Sequence, residues 1–264
     1  MKPTPKGILY IATGERHCHE AVANAMASRL HAAGCPIVLV TDCVDVAESS
    51  GAFDRVLPHP DPIRGYRDKI SAMLRLPFVH TLFLDSDARL TAPVEALFDA
   101  QGCADLAAVQ APVRLPAGWR DPEVPDLFSE INSGVLLWKR SRKQHALVRR
   151  WLRLYDQLQA SSGQAWDQAS LRSVLWWFVQ NRRFRLTLLP SEANFRTTKP
   201  WVAGRGLPVH VLHGRVPADE TEALLDYLNS NIDRFRTWAE WHQRYPNSKL
   251  RLRIGEVPPD PGAG

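Results

Sequence analysis

Short runs of consecutive apolar residues alternate with amphipathic stretches along most of the chain. Gly7-Ile8-Leu9-Tyr10-Ile11-Ala12-Thr13, Pro36-Ile37-Val38-Leu39-Val40-Thr41-Asp42 and Thr81-Leu82-Phe83-Leu84 carry no polar alternation. A strand covered on both faces reads this way, whereas a half-exposed strand alternates. Between the first two runs, Val22, Ala25, Met26, Ala27, Leu30 and Ala33 have helical spacing over residues 20–33, and Gly34 occupies the helix-ending position. Strand, helix and strand of this length make a βαβ unit, which predicts a parallel sheet with Thr13 and Asp42 at its carboxyl edge.

Further along, the pattern predicts a short strand over 54–58, a helix over 67–76, a short helix over 93–100 with Pro93 at its favoured start, and a strand over 105–111. Residues 112–126 hold four prolines, one glycine and Trp119 and read as a loop; loops of this length in a compact domain often serve function. The stretch 129–138 runs from polar residues into a strand, with the small cluster Asn132-Ser133-Gly134 at its start. A long helix begins at Ser141, burying Leu147, Trp151, Leu154, Tyr155 and Leu158, and a second begins over 164–171. Strands over 184–189 and 208–215 and a helix over 219–245 complete the pattern. The expectation is an α/β fold: one domain over residues 1–257, a central, mostly parallel mixed sheet flanked by helices, and a loose tail over 258–264.

The chemistry gathers where the third run drives into Asp85-Ser86-Asp87. In open α/β sheets ligands collect beyond the carboxyl ends of the strands. If the strand persists, its period of two points Asp85 and Asp87 the same way. Neighbouring carboxylates repel, and a shared proton or a bound cation relieves them; oxygen ligands suit Mn²⁺ or Mg²⁺. The alternative is a strand-to-helix turn, where Asp and Ser are common. Arg67 and Lys69 either enter the crevice or lie on a solvated face. Asp167 either reaches the site or caps its helix, where the dipole favours an acid. His210 and His213 lie three apart and face opposite sides of a strand, so one of them is available to the crevice.

Composition narrows the class. A chain of 264 residues with 45% hydrophobic and 23% charged residues supports a substantial core and excludes wholesale disorder. A net charge of +5 favours an anionic ligand and is too small to make a case for nucleic acid. Cys18, Cys35, Cys43 and Cys103 form no C-x-x-C pair and read as small buried hydrophobes. No G-x-G-x-x-G follows the first strand, which lowers an oxidoreductase reading. The N-terminus resembles neither a signal peptide nor a membrane span, and a cytoplasmic location is the default expectation. The basic run Lys139-Arg140-Ser141-Arg142-Lys143 suits a solvated face, phosphate or peripheral contact with an anionic membrane.

Taken in order, the Thr13 strand end, Lys69-Ile70, Leu82-Phe83-Leu84-Asp85-Ser86-Asp87, Asn132-Ser133-Gly134-Val135, Asp167-Gln168 and His213-Gly214 resemble the GT-A glycosyltransferases, most of all the branch of glycogenin and the bacterial galactosyltransferase-like enzymes. The resemblance spans roughly residues 7 to 216. It implies a nucleotide-sugar donor, a UDP-sugar by preference, an unidentified acceptor, and retaining chemistry. It implies that Asp85 and Asp87 hold Mn²⁺ or Mg²⁺ on the donor diphosphate, with His213 completing the set. Thr13 and Asp42 would then lie near base and ribose, and Arg67, Lys69, Ser86, Gly214 and Arg215 near phosphate or sugar. Asn132, Asp167 and Gln168 would face the transferred sugar and carry catalysis.

The chain also departs from that pattern. The relatives have H-x-x-G followed by K-P-W, whereas here Gly214 directly follows His213 and Lys199-Pro200-Trp201 precedes it; Arg215 is the candidate substitute for the phosphate-clamping lysine. Two rival readings fit the same residues: a Mg²⁺-dependent haloacid-dehalogenase-like phosphatase, and a non-catalytic homologue that binds a sugar nucleotide.

Overall fold

The apolar runs become a layered sheet. The computed structural model describes residues 5–253, so the expected tail over 258–264 lies outside the described residues. Its strands are β1 (Lys6–Ile11), β2 (Ile37–Thr41), β3 (Arg55–Pro58), β4 (His80–Leu84), β5 (Ala88–Leu90), β6 (Leu106–Gln110), β7 (Ile131–Lys139), β8 (Leu186–Leu189), β9 (Phe195–Arg196), β10 (Val202–Ala203), β11 (Val211–His213) and β12 (Arg236–Thr237). Its helices are α1 (Glu15–Ser28), α2 (Val44–Ser49), α3 (Tyr66–Ala72), α4 (Glu95–Gln101), α5 (Arg142–Ser162), α6 (Asp167–Asn181), α7 (Thr221–Asn229) and α8 (Trp238–Arg244).

Seven strands form the central sheet in the order β3-β2-β1-β4-β7-β6-β8. Neighbours pair in parallel except at β7, which runs antiparallel to β4 and β6. The expected central, mostly parallel mixed sheet is therefore present. Ile8, Tyr10, Leu82 and Leu84 pack with residues of α1, α2 and α4, while Leu9, Ile11, Phe83 and Trp138 pack with α3, α5 and α6. Covering both faces removes the polar alternation from the strands, and each fully buried Leu or Ile contributes about 1.5–3 kcal/mol. A third cluster, including Phe195, Trp201, Tyr227 and Trp241, packs the C-terminal segment.

Local chemistry sets the element ends. Gly14, at φ 81°, turns the chain out of β1, so α1 starts at Glu15 rather than at residue 20, with its acid in the first turn. Ser141 caps α5 by accepting the Gln144 N–H at 3.1 Å, and Gly163 closes that helix at φ 68°.

Two predicted elements differ. The helix expected over 219–245 is broken into α7, β12 and α8. The buried Arg236 guanidinium gathers the carbonyls of Gly204, Ile232 and Arg234, and a continuous helix would not present those carbonyls to it. The strand expected over 208–215 shortens to β11, because Pro208 lacks an N–H and Gly214 takes φ 126°. It belongs to a small separate sheet, β5-β11-β9, rather than to the main one. Because β5 follows directly after the Asp85–Asp87 turn, that small sheet carries His213 back to it. All four cysteines are free, but only Cys18 is fully buried and Cys103 is exposed, which corrects the uniform expectation. No helix of the described residues is long and apolar enough to cross a membrane.

Candidate active site

The strand does not persist through the two acids. β4 ends at Leu84, and a turn follows in which the Ala88 N–H donates to the Asp85 carbonyl at 2.9 Å. That turn still brings the carboxylates together. Asp85, Asp87 and His213 each offer one ligand atom, all within 4.8 Å of one another. His213 Nε2 stands 3.4 Å from Asp87 Oδ1 and 3.8 Å from Asp85 Oδ2. The pairing of β11 with β5 opposes His213 to Ala88, and the Gly214 N–H donates to the Asp87 carbonyl at 2.9 Å. His210 is not part of this group.

Because β7 is antiparallel, its beginning lies beside the carboxyl end of β4, and the Asp85 N–H donates to the Gly134 carbonyl at 2.8 Å. A β-carbon at position 134 would overlap the His213 ring and stand 2.6 Å from Asp85 Oδ2. The small residue is thus required for the three ligands to meet. Two carboxylates and one imidazole are a donor set that fits Mn²⁺ or Mg²⁺.

Beneath the acids lies a buried ion-pair network. Lys69, 7% exposed, places Nζ 3.0 Å from Asp167 Oδ2, 3.4 Å from Asp85 Oδ1 and 2.9 Å from Ser133 Oγ. Burial works to lower the ammonium, but Asp167 and Asp85 outweigh it and hold it above the usual lysine range. Asp167 occupies the first turn of α6 without capping it; its carboxylate points inward to Lys69. For Asp87, burial works to raise the carboxyl, while His213, Arg215 and Arg196 prevail and keep it well below the usual range.

Asn132 and Gln168 are tied to each other. Gln168 Oε1 accepts from Asn132 Nδ2 at 2.7 Å and from the Ser133 N–H at 3.3 Å, and Gln168 Nε2 donates to Glu130 at 2.6 Å. Asn132 Oδ1 accepts from the Gly134 N–H at 3.1 Å and from Asn194 Nδ2 at 2.7 Å. Asn194 Oδ1 meets His213 Nδ1 at 2.8 Å.

A cleft of about 650 Å³ opens over this floor, and every predicted site residue except Asp42 and Arg67 lines it. Asp42 turns its carboxylate to the Gly14 N–H at 2.7 Å and to Arg64 at 3.1 Å. Arg67 pairs with Asp156 of α5 at 2.8 Å and does not line the cleft. Thr13 donates to Asp68 at 2.7 Å, and the buried Asp68 carboxylate also accepts the N–H groups of Ile63 and Arg64, shaping one rim. Ser86 reaches Glu20 at 3.3 Å, and the same glutamate holds Arg215 in two contacts of 2.6 and 2.9 Å. Gly214 sits where a β-carbon would overlap Thr197 Oγ1. The 112–126 loop forms another wall, pinned by Arg172 to the Phe128 and Pro125 carbonyls and by Gln164 to that of Ala117.

Several lining residues escaped the sequence reading. Glu130 is 6% exposed, and burial pushes its carboxyl up to about 7 against the opposing Gln168 hydrogen bond. Arg196 and Lys199 also line the cleft, so the displaced Lys-Pro-Trp triplet still delivers its lysine to the wall. No local pattern marks Asn194 or Arg196. They arrive through the parallel pairing of β9 with β11, which sets Arg196 opposite His213.

No family model matches the chain, and no curated protein matches it. Solved structures do. An active-site mutant of LgtC is 17% identical, with 80% of this chain and 88% of that chain covered at a TM-score of 0.50. The chain has the GT-A fold. At TM-scores just below, the galactosyltransferase LgtC in complex with donor and acceptor sugar analogs is 18% identical (0.49), and GlyE of Streptococcus pneumoniae TIGR4 is 16% identical (0.48). This chain spans 47% of GlyE and 41% of the bifunctional glycosyltransferase WbbM, which is 14% identical. In GT-A terms, the Asp85–Asp87 turn lies at the carboxyl edge of the central sheet, and β7 supplies the antiparallel strand beside it.

Proposed function

We propose that the chain is a metal-dependent glycosyltransferase that moves a sugar from a nucleoside-diphosphate sugar, a UDP-sugar by preference, to an acceptor with a nucleophilic hydroxyl, within one domain over residues 1–257. The observation that carries this reading is the meeting of Asp85, Asp87 and His213 on the floor of a cleft whose wall holds Arg196, Lys199 and Arg215. A bound Mn²⁺ or Mg²⁺ would supply Lewis-acid stabilisation of the departing diphosphate.

The chain's own residues supply the rest. Arg196, whose Nε is buried without a hydrogen-bond partner among the described residues, and Arg215, 4.0 Å from Asp87 and steadied by Glu20, are placed to take phosphate oxygens. Lys69 holds Asp85 and Asp167 in place through contacts of 3.4 and 3.0 Å. Gln168 and Asp167 border the sugar side. As the bond from the anomeric carbon to phosphate oxygen breaks, its electron pair stays on the phosphate. The acceptor oxygen bonds to the carbon on the face that the phosphate leaves and its proton passes to that phosphate, a route that needs no separate base and, by that same-face attack, retains configuration.

The test is thermal: UDP with Mn²⁺ raises Tm, neither does so alone to the same extent, and Asp87→Ala abolishes the shift. No shift with any nucleoside diphosphate or nucleotide sugar overturns the donor site.

A further inference from the structure

The hydrogen bonds behind His213 have a direction, and the backbone sets it. An N–H can only donate, so the Gly134 N–H obliges Asn132 to turn Oδ1 toward it at 3.1 Å. Asn132 Nδ2 then faces Gln168, whose Oε1 is independently fixed by the Ser133 N–H. Gln168 Nε2 is left pointing outward, and Glu130 receives it at 2.6 Å. On the other side, Asn132 Oδ1 also accepts from Asn194 Nδ2 at 2.7 Å, which leaves Asn194 Oδ1 as the atom facing His213 Nδ1 at 2.8 Å. An amide oxygen cannot donate. Nδ1 of His213 must therefore carry a proton, so that when Nε2 is deprotonated its lone pair is directed at the carboxylates of Asp87 and Asp85.

We propose that Asn194 is the positioning residue that fixes the tautomer and ring orientation of His213, as the last link of a one-way chain running from Glu130 through Gln168 and Asn132. This inference rests on the metal-dependent reading above. The links next to the imidazole are buried: Asn132 is 2%, Asn194 4% and His213 3% exposed, while Gln168 is half-buried at the cleft, so water does not compete for the inner links and an amide turned the wrong way there would leave buried groups unpaired. The chain also explains why β9 pairs with β11. That pairing sets Leu212 beside Phe195 and brings the preceding Asn194 to the imidazole. Hydrogen-bond partners of metal-ligating histidines raise ligand basicity and hold the ring, and here the partner comes from a segment with no motif of its own.

The test titrates Mn²⁺ into protein held at saturating UDP, with free Mn²⁺ counted by electron paramagnetic resonance. The His213 tautomer is read in the Mg²⁺–UDP complex by long-range proton–nitrogen NMR. Asn194→Leu weakens Mn²⁺ binding by about 10–100-fold. Asn194→Asp, which keeps an acceptor for Nδ1–H, binds Mn²⁺ far more tightly than Asn194→Leu, and wild-type His213 carries its proton on Nδ1. Wild-type affinity in Asn194→Leu, or a proton on Nε2 in the wild-type complex, overturns the assignment while leaving the metal site standing. Failure of the wild type itself to bind Mn²⁺ removes the metal site and the assignment together. Should Asn194→Leu not fold, the wild-type tautomer and the Asn194→Asp titration still decide.

Discussion

Gly134 and His213 are in such close contact that the glycine has no room for a side chain: a β-carbon there would overlap the imidazole. Their contact joins the central sheet to the small β5-β11-β9 sheet at the point where the three ligand atoms meet. Gly134→Ala is expected to cost about 1–3 kcal/mol of stability, the usual range for overpacking a filled site. It is also expected to erase the Tm rise produced by UDP with Mn²⁺. Urea unfolding and thermal shift measure the two effects, and a variant that keeps the full metal response contradicts the geometry.

Lys69 is a counter-ion before it is a ligand group. It lies between Asp167 and Asp85, with its own side chain 8% and that of Asp167 3% exposed. Lys69→Met leaves Asp167 buried without its partner and is expected to cost about 3–5 kcal/mol. Adding Asp167→Asn removes the stranded charge and restores part of that loss, which a double-mutant comparison by urea unfolding detects. Equal stability of the single and double variants would count against the pair.

Glu130 ties stability to pH. Burial raises its carboxyl from 4.5 to about 7 in the folded protein. Between those values the folded state holds a proton that the unfolded state has released, so stability falls as pH rises through the window. The full loss is roughly 3 kcal/mol, reached above the folded value. Glu130→Gln keeps the shape of the protonated acid and cannot titrate. Urea midpoints at about pH 5 and about pH 8 should therefore fall more in the wild type than in the variant, and identical falls would rule the effect out.

Arg67 supplies a control. Its pair with Asp156 is partly exposed, with side chains 30% and 40% accessible, and lies off the cleft. Arg67→Ala is expected to cost no more than about 1 kcal/mol and to leave UDP affinity, followed by calorimetry, unchanged. A large loss of nucleotide binding would return Arg67 to the site.

The acids at 85 and 87, the small cluster at 132–134 and the βαβ start were legible because each rests on short-range chemistry. Apolar runs without alternation signal double-covered strands, and glycines and serines mark the ends of α1 and α5. The residue order also names Lys69, Asp167, Gln168 and His213, and all four line one cleft. Arg67 and Asp42 do not line that cleft, and nothing local in the sequence says so. A charge on a helix or after a strand reads identically whether it faces a ligand or a neighbouring element, and only the position of α5 gave Arg67 its partner Asp156.

What the sequence alone determined was therefore the sheet, its carboxyl edge and the residue types that gather there, since periodicity and turn chemistry act over a few neighbours. What the tertiary structure decided was direction and company. The antiparallel run of β7 set Gly134 beside Asp85, and the pairing of β11 with β5 and β9 brought His213 to the acids and Asn194 behind it. Those contacts join residues far apart in the chain through backbone hydrogen bonds, and backbone groups are the same at every residue, so no local pattern encodes them.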